Sequence, residues 1–431
     1  MGFIIEPVPE AEDINALKAI LAHIDDGDFV PLLLKSLNQA NDLARDLEKG
    51  LDPLLYKALP LEGMNGWPIT FDGYVQYLRL FSRWIPHQSD NPAWVDPSDR
   101  QEHQEVYDYL CWFYWLIDQP LEELNGGVLQ DIPWFSEFLV LWAADWGMFL
   151  NSDESFNDEV LNSFITDSPE YRVQDSMIPE VHNPEKLRPN DPSGCWFSFN
   201  QFFARELNPG LRPISKLAHN KIITAPADCT YKKHYEIDDK GRIEPPIVIK
   251  GTHTYATVQQ LLDKSEYADA FNGGHFIHFF LGPNSYHRFH TPVAGKVKEC
   301  YPLTGQVYLK VSLSGHQFDA ADSSRDGYEF LQARGILTID TTDSDYGDVG
   351  IVAVIPVGMC QVSGVNMTHV IDAECNKGDE FGYFTFGGSD IIVLMQKGTD
   401  PQWNTNFVKG TDYYSLYGTE LASVTKLGDK P

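Results

Sequence analysis

The chain has 431 residues, 43% of them hydrophobic, enough to bury the cores of two or three domains. Asp and Glu number 62 against 32 Lys and Arg, a formal charge of −30. So acidic a surface repels phosphate backbones and anionic headgroups, which argues against a nucleic-acid partner and against attachment to a membrane through a basic patch.

Residues Met1 to Glu6 lack the basic start and long apolar stretch of a secretion signal, and Glu6 stands where a myristoylation signal has Ser or Thr. Residues 10 to 165 read as helical, because Ala16–Ile24, Leu32–Leu51 and Gln104–Ile117 carry apolar residues at three- and four-residue spacing. The longest apolar run, Leu110 to Ile117, is too short to span a bilayer, so no integral membrane segment is expected. Aromatics crowd this half: Trp112, Phe113, Tyr114, Trp115, Trp134, Phe135, Trp142 and Trp146. They either fill a bundle core or line an entrance for an aromatic ligand.

Residues 166–195 are rich in Pro, Asp, Asn and Ser and read as a connecting segment. Beyond them short β-type runs alternate with turns: Ile247–Ile249, His275–Leu281, Ala294–Lys298, Gln306–Val311, Gly350–Val357 and Asp390–Met395. Val258–Leu262 reads as a helix. The expected fold class is α+β, with a helical domain at 1–165 and a mainly β domain at 196–431. The six cysteines, at 111, 195, 229, 300, 360 and 375, form no Cys-x-x-Cys pair. That spacing fits reduced thiols and a cytoplasmic location.

Three segments carry chemistry. In Gly387-Gly388-Ser389, a serine follows an open glycine carbonyl, which it can attack if a base takes its proton. The bland alternative is a Gly-Gly turn between two strands. Tyr286-His287-Arg288-Phe289-His290 presents two histidines, the usual acceptors of a serine proton. Asp228, in Ala225-Pro226-Ala227-Asp228, could orient a histidine, so Ser389, His290 and Asp228 together would form a relay. His275 and His278 raise a metal reading, but no Cys or carboxylate sits at ligand spacing and strand alternation would separate the rings, so no metal is expected.

These segments resemble the phosphatidylserine decarboxylase family of self-processing, pyruvoyl-dependent enzymes. The likeness runs from Phe202-Phe203-Ala204-Arg205 through Pro209-Gly210-Leu211-Arg212-Pro213-Ile214, to Ala225–Asp228, Lys250-Gly251-Thr252-His253-Thr254-Tyr255, Tyr286–Pro292, Val357–Gly364 and Gly388-Ser389-Asp390. Two positions depart: Cys229 replaces a glycine, and Asp390 replaces a hydroxyl residue after the serine. The helical half is similar to the N-terminal extension of a soluble branch that includes fungal L-tryptophan decarboxylases, chiefly over Trp134–Ser152.

The resemblance implies that Ser389 attacks the Gly388 carbonyl and becomes a covalent pyruvoyl group, the only cofactor. The products would be chains 1–388 and 389–431, which stay associated. His290 and Asp228 would serve self-cleavage, and His287 would protonate the substrate carbon after an imine to the pyruvoyl group loses carbon dioxide. Tyr286 and Asp390 are candidate substrate contacts. The expected substrate is a free amino acid, aromatic and tryptophan-like. The alternatives are phosphatidylserine, and a non-catalytic binding relative whose processing Asp390 blocks. The family implies a homodimer.

Overall fold

The computed structural model describes residues 29–95, 104–177, 196–244, 248–249, 254–320, 327–360, 364–408 and 413–424. The expected helix at Ala16–Ile24, the Pro-rich stretch 178–195 and the Lys250–His253 part of the Lys-Gly motif lie outside the described residues. The chain divides into two compact units. One holds Met1–Gln174, Ile178–Phe202 and Gln306–Ala321; the other holds Asp175–Met177, Phe203–Gly305 and Asp322–Pro431.

The first unit is helical. Its main helices are α1 (Phe29–Ala44), α2 (Phe71–Phe81), α3 (Glu105–Trp115), α4 (Pro133–Leu150) and α5 (Asp158–Thr166). On α1 the buried Leu33, Leu37, Ala40 and Ala44 recur every three or four residues and mark one core-facing stripe. The Thr70 side chain accepts from the Gly73 amide and starts α2, and Asn157 accepts from Val160 and starts α5. Apart from the half-buried Trp134, these aromatics are core: Phe81 packs on Tyr77, Trp84, Phe113, Trp142 and Trp146. Trp112, Trp142 and Trp146 are closed to solvent.

Residues Gln306–Val311, expected as a strand, form none. Side chains satisfy their backbone instead of a neighbouring strand. Gln130 bonds both the Leu309 amide, at 3.2 Å, and the Leu309 carbonyl, at 3.0 Å, while Asp118 accepts from the Val311 amide at 3.0 Å.

The second unit is mainly β. We label β1 (Cys229–Ile237), β2 (His275–Leu281), β3 (Arg288–His290), β4 (Gly295–Leu303), β5 (Arg334–Asp340), β6 (Ile351–Met359), β7 (Glu380–Phe384) and β8 (Gly388–Met395). A nine-stranded sheet runs in the order Glu374–Cys375, β4, β5, β6, β8, β2, β1, Tyr413–Ser415, with Ile243–Glu244 paired to β1. Each neighbouring pair is antiparallel. The class is α+β, as the sequence implies.

Every residue of β8 is buried. Ile391, Val393 and Met395 join Ile277, Phe279, Leu281 and Val354 on one face. Ile392 and Leu394 join Phe276, Ile355 and Val357 on the other. Successive side chains alternate between these two cores, which is why the run 391–395 is apolar throughout rather than at every second position. A smaller sheet orders Val365–Met367, β7 and β3.

Candidate active site

Thr385, Phe386 and Gly387 carry the chain from β7, in the small sheet, to β8, in the middle of the large one. Gly387 turns this corner at φ 149°, a conformation that a residue with a side chain rarely adopts. Gly388 then pairs with Met359, and a Cβ there would stand 3.3 Å from Cys360 Sγ. Cys360 itself has φ 54°, and burial pushes its thiol up, so it stays protonated.

Ser389 lies between Leu281 of β2 and Gly358 of β6 and is fully buried. Its hydroxyl has no hydrogen-bond partner among the described residues. Leaving a buried hydroxyl unpaired costs about 1–3 kcal/mol, and such groups mark sites where function opposes stability.

The two histidines reach this region through β3, which pairs with β7: His290 lies opposite Glu380, and Arg288 opposite Tyr383. His287, just before β3, accepts the Phe384 amide on its carbonyl at 2.9 Å. Its ring stacks on Phe203 at 3.9 Å, and Phe203 meets Phe386 edge-on at 5.0 Å. Full burial, aided by the Arg205 charge, holds the His287 imidazole well below its usual pKa, with the Ser285 backbone opposing weakly.

His290 Nδ1 lies 3.0 Å from the Gly378 carbonyl, so this nitrogen carries the proton. Nε2 then accepts from the Tyr286 hydroxyl at 3.2 Å. The ring lies flat on Tyr417, with centroids 3.7 Å apart and planes 3° apart. Burial lowers the His290 pKa to about 4; the Gly378 carbonyl opposes this, and Arg288 and Arg212 add to it. A neutral imidazole with one lone pair is the state a general base needs.

Asp228 is held elsewhere. Arg212 grips its two oxygens, with Nε at 3.1 and 3.0 Å and Nη2 at 2.6 Å, and the Tyr417 amide donates at 2.8 Å. Among the described residues no hydrogen bond joins Asp228 to the His290 ring, or that ring to Ser389. Tyr417 stands between the two groups: its amide binds Asp228 and its ring covers His290. The His290 amide also donates to the Pro226 carbonyl at 2.7 Å, tying β3 to the turn that presents Asp228.

Asp390 does not share the face of Ser389. It turns to the opposite core, where its carboxylate meets His278 Nε2 at 3.2 Å. Cys229 begins β1 fully buried, without the positive φ that would demand the family's glycine. Among the described residues no group of three or more His, Cys, Asp and Glu is arranged to hold a metal. His275 and His278, three apart on β2, face opposite sides of the sheet. Sequence reasoning assigned no role to Arg212, Tyr417, His278 or Cys360. Arg212 lay in a quoted motif, and its charge two positions past a Pro-Gly turn was the one signal available.

A family model described as phosphatidylserine decarboxylase matches residues 199–416. The chain is 32% identical over 207 residues to phosphatidylserine decarboxylase proenzyme 2 of Oryza sativa subsp. japonica, covering 48% of this chain and 30% of that one. It is 30% identical over 218 residues to the phosphatidylserine decarboxylase proenzyme of Fusobacterium nucleatum, covering 51% and 65%. It is 26% identical over 285 residues to decarboxylase iboD of Amanita muscaria, covering 61% and 77%. The chain thus spans less than a third of the rice relative and about two thirds of the bacterial one. With half its length matched by the family model, and the Gly-Ser corner and both histidines inside the matched region, the chain belongs to the phosphatidylserine decarboxylase family.

Proposed function

We propose that this chain is a self-processing, pyruvoyl-dependent decarboxylase that removes the α-carboxylate of a free amino acid, aromatic and tryptophan-like. The observation that carries the reading is the buried, unpartnered Ser389 hydroxyl directly after a glycine corner that only glycine fits. Those features suit a serine that is consumed in its own maturation.

In this reading His290 Nε2 exchanges the Tyr286 hydroxyl for that of Ser389 and takes its proton. Ser389 Oγ bonds to the Gly388 carbonyl carbon, the Gly388–Ser389 C–N bond breaks, and the nitrogen receives the proton. Loss of the Ser389 α-proton then breaks the Cβ–Oγ bond and frees Gly388 as a carboxylate. Water replaces the nitrogen, which leaves as ammonia. Asp228 holds Tyr417, and so the His290 ring, in place. A pyruvoyl carbonyl at residue 389 supplies an electron sink for the pair left when carbon dioxide departs. His287, beside Phe203 and just before β3, is the proton donor to the substrate carbon in this reading. Tyr286 borders the space that substrate would occupy. We place no substrate contact on Asp390, because it faces the other core.

The charge of −30 supports a free amino acid over an anionic bilayer. The match to decarboxylase iboD, a name that specifies no lipid, runs longer than the other two, 285 residues against 207 and 218. The names of the rice and bacterial relatives favour phosphatidylserine as the second reading. Carbon dioxide release without added pyridoxal phosphate, measured across free amino acids and phosphatidylserine vesicles, tests the choice. Turnover of an aromatic amino acid is expected; turnover of phosphatidylserine alone overturns it. The mass of the 389–431 chain tests the pyruvoyl group independently.

A further inference from the structure

The helical unit holds a cleft of about 740 Å3, bordered by α3, α5 and the turn Pro92–Trp94. That volume suits a small organic ligand. One wall is aromatic: the Trp94 and Tyr109 rings stand 5.2 Å apart, inclined at 40°. Asp158, Glu159 and Asp167, on α5 and its end, also line it. Among the described lining residues the only basic side chain is His87.

Glu105, the first residue of α3, also lines the cleft, with a side chain only 6% exposed. One of its oxygens faces His87 Nε2 at 3.3 Å. The other has no hydrogen-bond partner among the described residues. His87 Nδ1 lies 2.8 Å from the Ile85 carbonyl and therefore carries a proton, so Nε2 meets the carboxylate favourably only as an imidazolium. Burial opposes that charge, but the Glu105 hydrogen bond and charge outweigh it and raise the His87 pKa. The imidazolium neutralises one carboxylate of four. Glu159 and Asp167 add further carboxylates to the lining, and the second Glu105 oxygen stays buried without a hydrogen-bond partner among the described residues.

We infer that this cleft binds an organic ammonium ion carrying an aromatic body, its ammonium on the free Glu105 oxygen and its ring against Trp94 and Tyr109. A buried carboxylate oxygen costs free energy until a donor reaches it, and a charged N–H donor satisfies it best. The aromatic wall accepts both a ring and the edge of a cation. The site lies wholly within the helical unit and needs no catalytic residue. Loss of carbon dioxide from an aromatic amino acid produces this class of molecule, so under the proposed function the cleft would sense product.

The test is calorimetric titration of the full chain carrying Ser389→Ala, which lacks any reactive group at residue 389. The probes are 2-phenylethylammonium and its uncharged counterpart 2-phenylethanol. The expected result is saturable binding of the ammonium, at least ~10-fold tighter than the alcohol, and weakened at least ~10-fold by Glu105→Gln. Should Glu105→Gln lower the melting temperature, Glu159→Gln at an exposed position reads the same charge with an expected loss of about 2- to 3-fold. Equal affinity for ammonium and alcohol, affinity unchanged in both variants, or no saturable binding overturns the inference. None of these outcomes bears on whether the wild-type chain splits and decarboxylates.

Discussion

The Asp390 carboxylate faces His278 Nε2 at 3.2 Å, with both side chains closed to solvent, on the face of the main sheet opposite Ser389. The residue that departs most from the family's cleavage motif is thus committed to the protein's interior rather than to the reacting bond. Removing one partner leaves the other buried without it, which typically costs about 3–5 kcal/mol. Asp390→Ala should therefore lower unfolding free energy by that order in denaturant titration. The double change Asp390→Leu with His278→Phe should recover most of it, and a double variant as unstable as the single one would refute the pairing.

Ser389→Ala should leave one chain of full mass on a denaturing gel, since alanine has no nucleophilic oxygen. It should also unfold at equal or higher denaturant than an unsplit reference, by up to about 1–2 kcal/mol, because the substitution deletes an unpaired buried hydroxyl. Destabilisation by that amount would mean the hydroxyl is satisfied.

His290→Ala and Asp228→Asn should each slow or stop splitting, whereas His287→Ala should split normally and decarboxylate poorly. Arg212→Ala should resemble Asp228→Asn and also destabilise the fold, because it strands the Asp228 carboxylate gripped by Nε and Nη2. Arg212→Lys should not rescue, since a lysine cannot reproduce the fork. Normal maturation of His290→Ala, read by gel over time, would refute the role given to that ring.

The low pKa of His290, about 4, sets a pH window. In the unfolded chain a histidine takes its proton near 6.5, so above that pH both states are neutral and the linkage contributes nothing unfavourable. As pH falls from about 6.5 toward about 4 the unfolded chain gains the proton first. Stability then drops, by on the order of 3 kcal/mol for this residue. Denaturant titrations of wild type and His290→Gln at pH 7 and pH 4.5 should show the wild type losing more. If His290 is the base for splitting, the acid limb of the splitting rate should lie near pH 4 rather than 6.5.

Local signals located the elements well where one residue type dominated. His275–Leu281 and Val258–Leu262 occupy the bounds read from pattern alone. The orientation of the site was not legible for a physical reason. Because β8 is covered on both faces, Ile391 to Met395 is apolar throughout and its pattern carries no parity. Nothing in the sequence said on which side Ser389, and hence Asp390, would fall. The partner of Asp228 was hidden for another reason. Arg212 lies sixteen positions away, and only the folded turn brings its guanidinium onto the carboxylate. At Gln306–Val311 the alternating apolar residues suggest a strand; Val307, Leu309 and Val311 are indeed buried, but side chains rather than a strand take up the backbone bonds.

The full burial of Ser389 bears on which kind of chain end this place in the sheet can tolerate. Ordinary hydrolysis of the Gly388–Ser389 bond would leave an α-ammonium buried between Leu281 and Gly358 in the folded chain. Stripping such an ion of its hydration costs several kcal/mol, and the neighbouring Asp390 carboxylate faces the opposite core, against His278. A terminal ketone has no charge to desolvate. The buried position thus discriminates between two outcomes of the same cut: it penalises the one that leaves a plain amino terminus in place and accepts the one that leaves a neutral cap.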